Sequence, residues 1–176
     1  TTWVRVSGTW ATKTYYDFDG EYAPGQVPEG YLNVLTKGVN EDGTLKPVFV
    51  WFHGGGWTTG SSYQQDLYDG INMVDRGDVV FISINHRLNA LGFLDLSAYG
   101  EEYKDSANVG VMDMVAALQW VHDNAAAFGG DPENMTIMGQ SAGAMSVQQH
   151  SLSPLTEGLF QKAVMSSGGG VNQLLS

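Results

Sequence analysis

The chain has 176 residues, of which 43% are hydrophobic and 15% charged, and it carries a formal net charge of −11. Its 8 lysines and arginines are scattered, so no basic stripe exists to neutralise phosphates, which argues against nucleic acid or an anionic membrane as a partner. The absence of cysteine excludes disulfides, Cys-based zinc sites and a thiol nucleophile, and a cytoplasmic location is the expectation.

The N-terminal region differs from the rest of the chain. Residues 1–30 are rich in turn formers without a helical period, which predicts a loop or edge region with at most one short strand. Residues 31–176 are expected to form the core of a single domain. Two strands are predicted at 31–37 and 47–54, and the Asp-Gly pair between them favours a hairpin-like turn. The apolar run VFVWF in the second strand is far too short to cross a bilayer.

Helical and strand-like patterns then alternate. A short helix ending at Gly77 and a β-branched strand are followed by a long irregular connection from 89 to about 106. The clearest helix comes next and stops at a pair of glycines; its apolar stripe is Val111, Met114, Val115, Leu118 and Val121. A strand at 133–139, a helix ended by Pro154 and a last strand complete the pattern. Strands separated by helices predict an α/β fold with a parallel, doubly wound sheet.

A Gly-x-Ser-x-Gly step lies where the strand at 133–139 ends and the next helix begins. In an α/β sheet such a turn holds its serine in a strained conformation, with the hydroxyl above the carboxyl end of the strand. A side chain at Gly139 or Gly143 would collide with the neighbouring elements. The N–H of Ala142, at the helix N-terminus, can stabilise an oxyanion. Ser141 is therefore the candidate nucleophile.

A glycine-rich loop, HGGGW at residues 53–57, follows the second predicted strand. A flexible loop would account for the glycines, but their position upstream of the serine favours the second half of an oxyanion hole, formed by the N–H groups of Gly55 and Gly56. His53 is expected to hold the loop by hydrogen bonds rather than to transfer protons. Trp57 is expected either to line an acyl pocket or to pack on the core.

Together these segments resemble the type-B carboxylesterase and cholinesterase family of α/β-hydrolases. The resemblance covers about residues 31–168 and is carried by YLNV, VWFHGGGW, GDVVFISINHRL, LGFL, ALQWVHDNAAAFGGDPENMTIMGQSAGAMSV and GLFQKAVMSSG. It implies an incomplete α/β-hydrolase fold with a mostly parallel sheet, and hydrolysis of small-molecule carboxylic esters through an acyl-enzyme on Ser141. By the same resemblance, Gly55, Gly56 and Ala142 are the oxyanion-hole donors, and no metal or cofactor takes part. Gln140 departs from the family, many members of which carry Glu there.

The remaining members of a catalytic triad are not evident. In α/β-hydrolases an acid and then a histidine follow the serine, whereas here His150 precedes Glu157. His150 lies on the helix that follows the Gly-x-Ser-x-Gly turn, here called the elbow, and is expected at the surface or in helix packing. Glu157 is expected to be a solvated charge. His86, His122 and Asp113 are expected to be structural, and Arg87 is expected to pair with a carboxylate.

The resemblance implies much longer chains, in which the acid and the histidine lie beyond the matching part. We therefore expect this chain to need a missing C-terminal segment, a companion chain or self-association, because a sheet that ends after its nucleophile strand leaves an unpaired edge. A non-catalytic cholinesterase-like binding module, an inactive truncated hydrolase core, and an amidase or other acyl transferase are the alternatives.

Overall fold

The computed structural model of the chain describes residues 2–6, 15–17, 31–62 and 64–169. The strands in these ranges are β1 (Thr2–Val6), β2 (Tyr15–Asp17), β3 (Tyr31–Thr36), β4 (Lys46–Phe52), β5 (Val80–Asn85), β6 (Gly130–Gln140) and β7 (Lys162–Ser166). The α-helices are α1 (Ile71–Gly77), α2 (Asn89–Phe93), α3 (Val109–Asn124) and α4 (Ala142–Leu152). All seven strands belong to one sheet, in the order β2-β1-β3-β5-β4-β6-β7.

The sheet is parallel at its centre. Strands β5, β4, β6 and β7 are mutually parallel neighbours, and β3 lies antiparallel against β5. The predicted α/β fold with a mostly parallel sheet is therefore confirmed for the five strands from β3 to β7. The two short N-terminal strands extend the antiparallel side of the sheet.

Apolar layers cover both faces of the sheet, as a doubly wound fold requires. Alternate residues of β4 separate the two layers, because successive side chains of a strand point to opposite faces. Val48 and Val50 pack in a core that includes residues of α3 and α4, whereas Trp51 packs with Val74 of α1 in a second core. The β-rich pattern at the centre of the sequence thus becomes a buried parallel sheet between two helical layers.

The predicted hairpin between β3 and β4 is wrong. A turn does form, with the Gly43 N–H donating to the Asn40 carbonyl at 3.0 Å, but β3 and β4 are not neighbours, because β5 lies between them. Strand β5 is buried along nearly its whole length, so a central position removes more apolar surface from water than a local hairpin would allow. A turn that favours a hairpin does not decide which strands pair when another arrangement buries more apolar surface.

Two further sequence expectations differ from the structure. The N-terminal region holds two strands where at most one was expected, and its residues 1, 7–14 and 18–30 lie outside the described ranges. The connection from 89 to 106, expected to be irregular, contains α2 and short 3₁₀ turns. Among the described residues, no helix is long and apolar enough to span a membrane.

A bidentate ion pair joins the end of β5 to α3. The Arg87 Nε and Nη2 donate to the Asp113 carboxylate at 2.9 and 2.7 Å, and the Arg87 backbone N–H donates to the same carboxylate at 2.9 Å. The Asp113 side chain is only 6% exposed, whereas that of Arg87 is 40% exposed. The expected structural roles of both residues are therefore confirmed, and the pair holds the start of the loop that leads to α2.

Asp113→Asn should lower the free energy of unfolding by about 1–2 kcal/mol, because the change weakens three charge-assisted hydrogen bonds, one partner of which is partly solvated. Urea unfolding followed by tryptophan fluorescence measures the change. Asp123→Asn is the matched control on the same helix, since Asp123 is exposed and accepts one bond from Gln119. Equal losses in the two variants would contradict a structural role for the ion pair.

Candidate active site

The Gly-x-Ser-x-Gly step forms a tight turn between β6 and α4. Ser141 alone connects the two elements, with φ 56° and ψ −122°, in a region that non-glycine residues rarely occupy. Such a conformation costs on the order of 1–3 kcal/mol and persists only where neighbours impose it. Here the Ser141 N–H donates to the Ser166 carbonyl of β7 at 2.9 Å, and the Ser141 carbonyl accepts from the Met145 N–H at 3.0 Å.

The two flanking glycines allow close backbone contact around this turn. A Cβ atom on Gly143 would lie 2.1 Å from the carbonyl oxygen of Phe52, at the end of β4. One on Gly139 would lie 2.4 Å from the carbonyl carbon of Gly143. The collisions expected from the sequence are therefore present, and they show that the first turn of α4 rests directly on the backbone of the neighbouring strand.

The glycine-rich loop at 53–57 begins beside the serine. A Cβ atom on Gly54 would lie 3.3 Å from the Ser141 Cβ, which places the two backbones side by side. Three successive residues then have positive φ: Gly55 at 116°, Gly56 at 62° and Trp57 at 57°. The N–H groups of the two following threonines both donate to the Gly55 carbonyl at 3.1 Å. The loop therefore reverses direction next to the elbow, with both central glycines exposed.

Trp57 connects this loop to α4. Its indole N–H donates to the Ser146 hydroxyl at 3.1 Å, and that hydroxyl donates to the Ala142 carbonyl at 3.0 Å. The Trp57 carbonyl accepts from the Asn89 N–H at 2.7 Å. Trp57 is half-buried and lines a cleft of about 630 Å³ rather than joining either core. The sequence offered no signal for Ser146 or Asn89, because these partners come from distant segments.

His53, the first residue of the glycine loop, is hydrogen-bonded to the backbone of that loop. The His53 Nδ1–H donates to the Gly54 carbonyl at 2.7 Å, and the ring stacks on that of His86 with 4.8 Å between centroids. Burial lowers the pKa of His53, and burial, together with the charge that His53 would carry, lowers the pKa of His86 to about 3. Both rings are therefore neutral at pH 7, and this geometry supports the loop-holding role that the sequence predicts for His53.

His150 lies inside the protein rather than at its surface. It is 2% exposed, and its ring centroid lies 5.4 Å from that of Phe52. Neither ring nitrogen has a hydrogen-bond partner within the described ranges, and burial lowers the pKa of His150 to about 4. Of the two locations expected for this residue, helix packing is confirmed and the surface is wrong. Glu157 is exposed, as expected.

The Ser141 hydroxyl receives no hydrogen bond from any histidine in the described part of the chain. His122, the remaining histidine, lies beside Asp123 and Glu133 on and near α3. The described residues also contain no group of three or more histidine and carboxylate side chains arranged to hold a metal ion. The structure thus brings the serine and the glycine loop together, with no hydrogen bond between the Ser141 hydroxyl and a described histidine.

His150→Leu should leave the unfolding free energy at pH 7 unchanged or raise it, because it replaces two buried nitrogens, which have no hydrogen-bond partner among the described residues, with an apolar group. The folded-state pKa of His150 is about 4, against 6.5 for the free side chain, so the unfolded chain takes up the proton first as the pH falls. The wild type therefore loses stability between pH 6.5 and pH 4, by about 2 kcal/mol at pH 5 from this residue.

Urea unfolding at pH 7 and at pH 5 measures this difference. The leucine variant should show the smaller loss between the two pH values, by about the same 2 kcal/mol. An equal loss in both proteins would mean that His150 titrates alike in the folded and unfolded states.

Most of the chain is similar in sequence to known proteins. The profile of the Carboxylesterase family matches residues 31–175. The para-nitrobenzyl esterase of Bacillus subtilis (strain 168) is 48% identical over 122 residues, which make up 69% of this chain and 24% of that protein. The acetylcholinesterase of Gallus gallus is 49% identical over 138 residues, which make up 78% of this chain and 17% of that protein.

A solved structure leads to the same family. The carboxylesterase of Geobacillus stearothermophilus, determined at pH 6.8, superposes with a TM-score of 0.75 at 45% identity, covering 80% of this chain and 30% of that chain. The chain thus spans less than a third of each of these three relatives. The family profile, the sequence identities and the shared fold lead to one conclusion: the chain belongs to the carboxylesterase family.

Proposed function

We propose that this chain carries the nucleophile and the oxyanion hole of a carboxylic-ester hydrolase that acts through an acyl-enzyme on Ser141. The observation that supports this most strongly is the positive-φ turn of Ser141 between β6 and α4, directly beside the glycine-rich loop. Membership of the carboxylesterase family supports ester hydrolysis as the reaction class.

In the proposed mechanism the Ser141 Oγ attacks the ester carbonyl carbon while a base takes its proton. The carbonyl oxygen becomes an oxyanion, which the N–H groups of Gly55, Gly56 and Ala142 stabilise; one such donor typically contributes about 3 kcal/mol to the transition state. Collapse of the tetrahedral intermediate breaks the bond to the alcohol, which leaves with the proton from the base. Water then hydrolyses the acyl-enzyme by the same steps and frees Ser141.

The base in this proposal is a histidine outside the described residues, supplied by a further segment of the same protein, by a companion polypeptide or by a second copy. The histidines of the described part support this, since none of them is hydrogen-bonded to the Ser141 hydroxyl. The sheet also offers a place for additional structure. Within the described ranges β7 pairs with β6 alone, and all five of its residues are exposed, among them Val164 and Met165.

In the complete enzyme, which includes the segment or chain that supplies the base, Ser141→Ala should reduce the hydrolysis of para-nitrophenyl acetate by at least about a thousandfold, because it removes the atom that forms the acyl-enzyme. The same variant should lose labelling by a fluorophosphonate probe, as read by intact-mass spectrometry under native conditions. Ser151→Ala is the matched control on the same helix, since the Ser151 hydroxyl only donates to the Val147 carbonyl.

The mass spectrum also tests the source of the base. A probe-sized increment on this chain, together with a second polypeptide in the spectrum, would identify a companion chain. Normal hydrolysis by Ser141→Ala would rule out the proposed nucleophile. A wild-type protein that takes up no probe would instead support a non-catalytic binding module or an inactive hydrolase core.

Gly55→Ala should lower kcat by about a hundredfold or more, since a Cβ atom there would lie 2.0 Å from the Thr59 carbonyl oxygen at a φ of 116°. The loop must shift to accept it, which moves the proposed oxyanion donors. The control is Gly43→Ala. Gly43 also has positive φ, at 76°, but apart from its two chain neighbours no heavy atom lies within 4 Å of the added Cβ. Equal activity in the two variants would contradict a role for the loop geometry in catalysis.

A further inference from the structure

A buried hydroxyl fixes the chain that returns from the glycine loop. Residues 58–62, here called the return segment, follow that loop, and Ser62 at their end is 1% exposed. The Ser62 hydroxyl accepts hydrogen bonds from the side-chain amides of Asn33 at 2.9 Å and of Asn85 at 2.7 Å. The Ser62 N–H donates to the side-chain carbonyl of Asn85 at 2.9 Å. Three hydrogen bonds therefore join the return segment to strands β3 and β5.

The two asparagines lie on one face of the sheet. Asn85 is the last residue of β5 and is paired with Tyr31, while Asn33 is paired with Ser83. Since residues two apart on a strand share a face, Asn33 and Asn85 are diagonal cross-strand neighbours. The carboxyl end of β5 lies at the same edge of the sheet as that of β4, its parallel neighbour. The chain thus leaves this edge at β4 and is bonded to it again, across β5, by Ser62.

The return segment packs directly against the glycine loop. A Cβ atom on Gly60 would lie 2.5 Å from the Gly54 carbonyl oxygen and 2.6 Å from the His53 Nδ1. One on Gly55 would lie 2.0 Å from the Thr59 carbonyl oxygen. The two stretches of chain are therefore in close backbone contact, and a displacement of the return segment would move the residues that carry the proposed oxyanion donors.

We propose that Ser62 is a positioning residue for the oxyanion hole. By holding the return segment on the sheet, it keeps residues 58–60 packed against the glycine loop and so sets the direction of the Gly55 and Gly56 N–H groups. The inference rests on the proposed function, in which those two groups stabilise the oxyanion. A misplacement of preorganised groups by about 1 Å can cost about a hundredfold in rate, so a distant anchor of this kind affects catalysis.

Ser83 distinguishes this role from a merely structural one. Its hydroxyl accepts from the same Asn33 amide at 3.2 Å, and the residue is 4% exposed, so its burial and bonding resemble those of Ser62. It lies on β5, however, and not in the return segment. If the polar cluster only stabilised the fold, loss of either hydroxyl would have the same consequence for activity.

Ser62→Ala should lower kcat and kcat/KM for para-nitrophenyl acetate together, by about tenfold or more, in the complete enzyme that includes the source of the base. Both parameters fall because the oxyanion forms only on the way to the transition state. Ser83→Ala is the matched control. It should lose a comparable free energy of unfolding in urea, because both variants remove a buried acceptor, while its kcat stays within about twofold of the wild type. Ser62→Thr, which keeps an acceptor oxygen, should retain kcat within about threefold.

Hydrogen exchange read by mass spectrometry measures the loop without any catalysis. The N–H groups of Thr58 and Thr59, in the return segment, both donate to the Gly55 carbonyl. Peptides that contain these two residues should exchange faster in Ser62→Ala than in the wild type, because a less firmly held segment opens more often. The same peptides should exchange at the wild-type rate in Ser83→Ala.

Equal kcat in Ser62→Ala and Ser83→Ala would overturn the positioning role, and so would a loss in Ser62→Thr as large as that in Ser62→Ala. Either result, with acetate hydrolysis still dependent on Ser141, leaves the proposed function standing. A wild-type enzyme whose hydrolysis does not depend on Ser141 would instead remove the proposed function. Faster exchange at Thr58 and Thr59 in Ser62→Ala would even then support the part of the inference in which Ser62 holds the loop.

Discussion

The backbone contact between the first turn of α4 and the end of β4 is the constraint on which the site depends. Gly143 lies so close to the Phe52 carbonyl that a single added carbon would sit 2.1 Å from it. This contact positions the N-terminus of α4 over the centre of the sheet and leaves one residue, Ser141, to connect strand and helix. The positive φ of Ser141 follows from that short connection. The sheet stabilises this strained backbone conformation, because the Ser141 N–H donates to the Ser166 carbonyl of β7.

The same helix also positions the glycine loop. The loop follows β4 directly, so the Phe52 carbonyl that contacts Gly143 is one residue away from the start of the loop. Trp57 connects the loop to the helix, because its indole N–H donates to the Ser146 hydroxyl. That hydroxyl in turn donates to the Ala142 carbonyl. Strand, loop and helix are therefore in contact at two points, and the proposed oxyanion donors lie on segments that these contacts join. Preorganised donors of this kind are effective because no reorganisation accompanies the reaction.

The polar interior beneath the loop has a different role. His53 and His86 stack on each other, and His150 packs near Phe52 without a hydrogen-bond partner in the described part of the chain. Burial lowers the pKa of all three, so they are neutral at pH 7 and can pack against apolar and aromatic neighbours without an ion-pair partner. Because these pKa values are lowered, protonation of the rings at low pH is expected to reduce the stability of the fold.

The sequence by itself determined the elements and the candidate residues. Periodicity identified α3 and the buried strands, and the two glycine motifs pointed to Ser141, Gly55 and Gly56, because local spacing determines which face of an element is apolar and where a chain can turn tightly. Tertiary structure alone decided that β5 separates β3 from β4, that His150 is buried, and that Trp57 bonds to Ser146. These outcomes depend on how much surface each segment buries against segments that are distant in sequence. A local sequence pattern does not show which of the alternative packings buries the most surface.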